Sequence, residues 1–491
     1  MAVSTASESV SHDYHHVEKD MQDQKKTAAD GCSTGTSIDL AKEKKVLAKL
    51  DIFLTPVLFI VYLSCFIDRA NIGNVKVAGM PEDIGASEAQ FSTAVSLFFV
   101  TYVIIEVPAV ILVKRYSPRY ILTVLCVIWS VTTVANGLVQ NVGGLYTCRL
   151  VLGACEGGLF PSLNLYLTLV YKRDEMAKRV SYLVSCTALS GAFGGLLAYG
   201  LLQMDGVAGY PGWRWVYLIE GAFSILCAFF IFFGLPSDPR QAYFLNAEER
   251  EVMEIRHQQR LAYMGSDELD WNEVKLAFID LKVWLSAATQ FCQNILTNGF
   301  GTFLPSILHS MGYDTLASNY LTIPVYVFGA IGFFLFAFLS DRYGPAGPFL
   351  LLTNAIGILG YALLLGVKSD AVKYFACFVC TIAVYNGTGL NLAWLNVNVA
   401  PQYRRATAIG IQMTIGNAAG AVAGQVYREA PYYLGNGFSL GAIVVAEVLI
   451  TVHIIYLRRQ NRVKERILSG EIEDTRVKST GDRDVEYKYR I

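Results

Sequence analysis

The sequence predicts an all-α membrane protein, with twelve transmembrane helices in two pseudo-symmetric six-helix halves. Three observations lead there. About twelve apolar runs of roughly 20 residues follow one another, the length a helix needs to cross the ~30 Å hydrocarbon core of a bilayer. The chain of 491 residues is 53% hydrophobic and only 16% charged, where a soluble domain is nearer one quarter charged. Basic residues, finally, gather on alternate connections between the runs.

Residues 1–46 are polar and mixed in charge, with His12, His15 and His16 and a Gly/Ser/Thr stretch from Gly31 to Ser37. They read as a disordered cytosolic tail with no cleavable signal peptide. An N-terminal bundle over 47–236 holds runs near 50–70, 90–113, 119–139, 146–170, 180–202 and 214–235. The polar stretch 237–281 follows, in which Asn246 suits a helix N-cap and Glu248 and Glu249 suit its first turn, so a cytosolic helical linker is expected. A C-terminal bundle over 282–458 holds runs near 283–308, 318–340, 347–367, 373–398, 405–427 and 437–457, and 459–491 forms a second cytosolic tail. Pro108, Pro161, Pro305 and Pro324 interrupt runs, as membrane helices tolerate where neighbours satisfy the freed backbone groups.

The basic connections hold Lys114, Arg115 and Arg119; Lys172, Arg173, Lys178 and Arg179; Arg342; Arg404 and Arg405; and Arg458 and Arg459. The opposite connections are poor in such charge, so the positive-inside rule puts both tails in the cytosol and requires an even number of spans. Lys114-Arg-Tyr-Ser117 after the second span aligns with Asp341-Arg-Tyr-Gly344 after the eighth, which marks an internal repeat of the two halves.

Several function classes fall away. A net charge of −1 gives nucleic acid binding no support. Ten cysteines are scattered, most within apolar runs, where they act as small packing residues; Cys377 and Cys380 have redox spacing but lie inside a hydrophobic helix. No Walker motif or nucleophile elbow is present, so ATP-driven pumping and enzyme chemistry are not expected, nor is a cofactor or metal.

Ionisable residues within spans are the exception worth weighing, since each costs about 2.5–3.5 kcal/mol on insertion scales. Arg149 and Glu156 in the fourth span are two helical turns apart, on one face and roughly 10 Å apart along the axis. A guanidinium is a planar fork suited to a carboxylate, and a buried carboxyl group can exchange protons. That combination suggests a machine moving an anion together with protons. Asp68 and Arg69 close the first span but point about 100° apart. Glu106 reads as structural, and Glu220 and Arg214 as interfacial. The C-terminal spans carry amides instead, Gln290, Gln293, Asn294, Asn391 and Asn417 among them. Glycines four apart, such as Gly153 and Gly157 or Gly420 and Gly424, offer close helix packing.

On Asp341-Arg-Tyr-Gly344 and Arg149-x-x-x-Gly153-x-x-Glu156-Gly157 the chain resembles the major facilitator superfamily. On Ile67-Asp-Arg-Ala-Asn-Ile-Gly73, Gly212-Trp-Arg-Trp215, Leu235-Pro-Ser-Asp-Pro239 and Gln425-Val-Tyr-Arg428 it is similar to the anion:cation symporter branch, specifically the fungal allantoate permease-like group. The resemblance covers roughly residues 45–465 and departs at Lys114, where the superfamily carries an acidic residue. It implies a monomeric, multi-pass plasma-membrane permease for a small organic anion such as allantoate, nicotinate, pantothenate or biotin. It further implies Arg149 and Arg69 as substrate-binding residues, Asp68 and Glu156 as proton-coupling residues, and Asp341 and Arg342 as gating residues. Asn391 and Tyr385, in the span that is the twofold counterpart of the fourth, are the C-half candidates for substrate contact. Export of an acidic metabolite by antiport, or a non-transporting nutrient sensor, are the competing readings.

Overall fold

The computed structural model of the protein describes residues 39–264, 271–344, 346–472 and 481–491. His12, His15, His16 and the Gly31–Ser37 stretch lie outside these residues, and so do the side chains of Lys114, Arg173, Lys178 and Asp341.

The chain divides into two compact units. The smaller contains helix α1 (Leu40–Phe53) and, from the linker, helix α9 (Ala247–Met264). The end of the expected N-terminal tail is therefore helical. Within this unit Lys42 pairs with Glu248 at 3.2 Å, Lys49 with Glu249 at 2.8 Å and Arg256 with Glu43 at 2.6 Å. Glu249 also accepts the Asn246 N–H at 2.9 Å, closing the first turn of α9. The hydrogen bond from Lys49 holds the Glu249 carboxyl below its ordinary range.

The larger unit holds twelve long helical passes. The N-terminal half comprises α2 (Thr55–Val77), α3 (Glu88–Arg115), α4 (Pro118–Gly137), the broken pair α5 (Val142–Gly157) and α6 (Leu159–Val170), α7 (Arg173–Leu202) and α8 (Gly212–Gly234). After α10 (Trp271–Ile279) the C-terminal half comprises α11 (Leu281–Ser310), α12 (Thr322–Tyr343), α13 (Ala346–Gly366), α14 (Asp370–Asn398), α15 (Gln402–Val426) and α16 (Tyr433–Leu468). Among the described residues, 10 helical stretches are long and apolar enough to cross a membrane. The two passes not among them, α11 and α15, carry polar side chains, Gln290, Gln293 and Gln412, that are turned inward and buried.

Local chemistry fixes the helix ends. Ser87 and Gln90 form a reciprocal capping box on α3. Asn141 caps α5 by accepting the Gly144 N–H at 2.9 Å, and Asp280 caps α11. Pro118 opens α4, where a missing N–H costs nothing. Pro161 has no N–H to give the carbonyl four residues back, and the fourth pass breaks at Gly158, two residues past Glu156.

Outward faces are apolar, as lipid requires: Val127 and Val131 on α4, Phe229 and Phe233 on α8, and Phe334 and Phe338 on α12 are exposed. All nine described cysteines are free and buried. The last pass runs past residue 458, to Leu468, and residues 481–491 pack on the C-terminal half. There Asp482 is fully buried, accepting from Lys282 and, at 2.9 Å, from Arg404, while Trp394 Nε1 donates to the Arg490 carbonyl at 2.9 Å.

Candidate functional site

Asp68 and Arg69 are neighbours on α2 that face different helices, as 100° per residue dictates. Asp68 turns toward α4 and α8, where its Oδ2 accepts Trp129 Nε1–H at 2.7 Å and the Ser224 hydroxyl at 3.1 Å. Arg69 turns toward α3 and α5. Its guanidinium lies 3.2 Å from Glu156 Oε2 and is ringed by Phe66, Phe98 and Tyr102 at 4.8, 5.2 and 4.9 Å. Cys65 Sγ donates to the same Glu156 oxygen at 3.2 Å. The Arg69 side chain keeps 17% of its surface exposed and that of Glu156 only 1%.

Arg149 is buried, 2% exposed, and its Nη2 donates to the Tyr217 hydroxyl of α8 at 2.9 Å. Its Nε is buried without a partner. Among the described residues no carboxylate forms an ion pair with Arg149. The shared face of Arg149 and Glu156 therefore does not make them a pair; the cation that reaches Glu156 comes from α2. A buried charge lacking a counter-ion is costly, which leaves Arg149 as a cation with anion-binding capacity to spare.

One sequence expectation changes here, and a second residue is located. Glu220, expected at the interface, is buried to 5% exposure beside Asp68, because α8 begins at Gly212 and Glu220 lies two turns inside it. Its Oε2 accepts from Asn71. Glu106, expected to be structural, stands across from Asn417 of α15, so it lines the boundary between the halves, and its Oε2 is buried without a donor. Trp129, Ser224, Cys65 and Tyr217 join the site without having been singled out; only the depth of their partners in the spans could have signalled them.

The C-terminal candidates differ. Asn391 is fully buried and fully engaged within its own half: its Nδ2 donates to Gln290 Oε1 at 2.8 Å and the Ser286 carbonyl at 3.0 Å, and its Oδ1 accepts the Ser286 hydroxyl at 3.1 Å. Tyr385 is half-buried, with its ring against Gly329 of α12. Arg342 is exposed at the end of α12, and the side chain of Asp341 lies outside the described residues.

The halves meet at the end away from the α2 N-terminus. Lys76, paired with Glu88 at 2.8 Å, donates to Tyr432 at 3.4 Å. Ser96 donates to the Ala421 carbonyl at 2.7 Å and accepts from Gln425 at 3.0 Å, and Thr315 donates to the Val77 carbonyl at 3.1 Å. Gly73 permits this approach, since a Cβ there would strike the Thr302 carbonyl. Three pairs of helices, α2 with α11, α3 with α15 and α7 with α12, bring the halves together, and Arg69 lies one turn before Gly73 on α2.

A profile of the Major Facilitator Superfamily matches residues 58–424. An uncharacterized transporter of Schizosaccharomyces pombe is 44% identical over 462 residues, 94% of this chain and 96% of the relative. The high-affinity nicotinic acid transporter of Saccharomyces cerevisiae is 34% identical over 432 residues, 87% of this chain and 80% of the relative. Among solved structures, a bacterial homologue of the human lysosomal transporter Spinster superposes with a TM-score of 0.64 at 17% identity, covering 85% of this chain and 96% of that one. A D-xylose-proton symporter gives 0.63 at 16% identity, covering 80% and 97%. These likenesses are of fold.

Proposed function

The chain belongs to the Major Facilitator Superfamily and is a multi-pass membrane transporter rather than an enzyme, and on that premise we propose that it carries small organic anions, carboxylates above all, by proton-coupled symport with alternating access. The observation that carries this reading is the buried Arg149 guanidinium, without a carboxylate partner among the described residues, on the same helix as Glu156, whose ion pair with the partly exposed Arg69 is one that an anion could displace.

The anion arrives at the half boundary, where Arg69 is partly exposed. It takes the fork of Arg69 from Glu156, with Arg149 as the deeper cation. Glu156, released, takes a proton, and Asp68 takes another. The halves then rock about the fixed site, the contacts of Lys76, Ser96 and Thr315 part, and the access side changes. With basic connections toward the cytosol, the plasma membrane fits as the location and the closed end faces outward. The aromatic ring around Arg69 suits a flat acid, and the nicotinic acid transporter among the relatives makes nicotinate the first substrate to try.

Protons solve a problem of charge. An inside-negative potential opposes an incoming monoanion by about 2.3 kcal/mol per 100 mV, roughly fiftyfold. Two protons per monoanion reverse the sign. The test is uptake of a panel of radiolabelled organic acids, nicotinate included, into proteoliposomes with and without an imposed proton gradient. Gradient-driven accumulation of at least one carboxylate is expected. Gradient-independent uptake, or accumulation of neutral or cationic solutes only, would overturn the proposal.

A further inference from the structure

Asp68 does not stand alone. Ser224 of α8 donates its hydroxyl to Asp68 at 3.1 Å, and Glu220 lies one turn before Ser224 on the same buried face, so its carboxyl group stands beside that of Asp68. Each acid has one oxygen that is supplied with donors and one that is not. Asp68 Oδ2 takes Trp129 and Ser224, and Glu220 Oε2 takes Asn71, whereas Asp68 Oδ1 and Glu220 Oε1 are buried with no donor. Both residues are at least nine-tenths buried. Two ionised carboxylates facing each other away from water repel strongly, and neither can donate to the other. One proton placed between the two bare oxygens removes both faults.

The neighbours allow it. Arg69 of α2 is turned to Glu156 of α5, Arg149 of α5 to Tyr217 of α8, and Cys126 and Cys227 bring buried thiols from α4 and α8. The charged residues of α7 fall between Arg173 and Arg179, at its first turns. Glu156 is matched by Arg69, and among the described residues no cation forms an ion pair with Asp68 or Glu220, so one shared proton relieves the facing acids of one charge.

We propose that Asp68 and Glu220 form a two-carboxyl proton site, in which Glu220 holds jointly the proton that coupling requires of Asp68. The proton comes from bulk water on one side, sits between Asp68 Oδ1 and Glu220 Oε1, and leaves to the other side when the halves rock. This rests on the proton-coupled reading above, which placed one proton on Glu156 and gave Asp68 no partner in holding the other.

The experiment combines two readouts on wild type, Glu220→Gln, Glu220→Asp and Asp68→Asn. The first is the pH of half-maximal uptake into proteoliposomes. An amide at 220 removes the repulsion that makes the shared proton hard to lose, so the midpoint of Glu220→Gln moves to lower pH by about one unit or more, while Glu220→Asp restores coupling in part. The second, on purified protein without substrate, is the infrared carbonyl band of a protonated carboxylic acid across a pH titration. Wild type shows the band, and either single substitution shifts its midpoint or abolishes it. Uptake that is proton-driven with an unmoved midpoint and an unmoved band in Glu220→Gln overturns the pair while coupling stands. Wild-type uptake indifferent to protons sinks the coupling reading, and the infrared titration still decides the pair. A band that collapses on adding sodium at fixed pH overturns the proposal in favour of a cation site. If Glu220→Gln fails to fold, the shift of the Glu220 band in Asp68→Asn decides alone.

Discussion

In the N-terminal half, α2, α5 and α8 carry Asp68, Arg69, Arg149, Glu156 and Glu220 into the interior; in the C-terminal half, α11, α14 and α15 bring Gln290, Asn391 and Gln412 to a comparable depth. The amides interlock. Asn391 donates to Gln290 at 2.8 Å, and Gln412 donates to the Ser286 hydroxyl at 2.9 Å, so three helices are pinned to one another. The charged set is left with unmet capacity: Arg149 Nε, Asp68 Oδ1 and Glu220 Oε1 are buried without partners. Neutral groups that bond to one another across helices rigidify a bundle, and a bare amide oxygen such as Gln412 Oε1 costs far less than an unmatched buried charge. Charged groups with open valences have something still to bind. On the proposed reading the charges of the first half handle ions and anions, and the Ser286–Gln290–Asn391–Gln412 cluster is a frame.

That contrast can be broken by substitution, most severely at Arg149. Arg149→Lys replaces a fork by a point charge, and the apparent affinity for the anion should fall on the order of 10–100-fold; a binding isotherm or uptake saturation curve reads it, and unchanged affinity removes Arg149 from the site. Glu156→Gln comes next. Proton-driven accumulation of roughly tenfold for each pH unit and each coupled proton should drop by that factor, while exchange of labelled for unlabelled anion persists; ordinary pH dependence in this variant would return Glu156 to a structural role. Asn391→Ala should act differently in kind. It leaves Gln290 Oε1 with only the longer bond from Gln412, at 3.4 Å, and should cost about 1–3 kcal/mol of stability, seen as a lower melting temperature, with the pH midpoint of uptake unmoved. A moved midpoint would erase the distinction between the halves. The smallest effect is expected at the contact between them. A Cβ on Gly424 would meet Ser96 Oγ at 2.6 Å, and Gly424→Ala should reduce the population closed at that end by about fivefold, a cost near 1 kcal/mol. Spin labels placed at the exposed Glu82 and Glu429 should then report a longer distance.

Much of this was legible in the sequence for physical reasons. Apolar length alone marks a membrane pass, and even α11 and α15 read as spans despite Gln290, Gln293 and Gln412. Helical periodicity separated the directions of Asp68 and Arg69, and their different partners bear that out. Pairings across helices were not legible, since no local rule says that Arg69 rather than Arg149 meets Glu156. The depth of Glu220 was missed because the Gly212-Trp-Arg-Trp215 motif looks like a membrane edge, whereas the helix already starts at Gly212 and carries Glu220 roughly 12 Å inward. The helical end of the N-terminal tail escaped notice because α1 is held by ion pairs to α9, a partner some 200 residues away in sequence,.

The most direct test is to count protons as the anion moves. Wild-type proteoliposomes in weakly buffered medium, given a saturating pulse of a transported carboxylate, should alkalinise the outside in step with uptake, and Glu156→Gln should take up label by exchange with no alkalinisation. Uptake of the anion by wild type with the external pH unchanged would contradict the account.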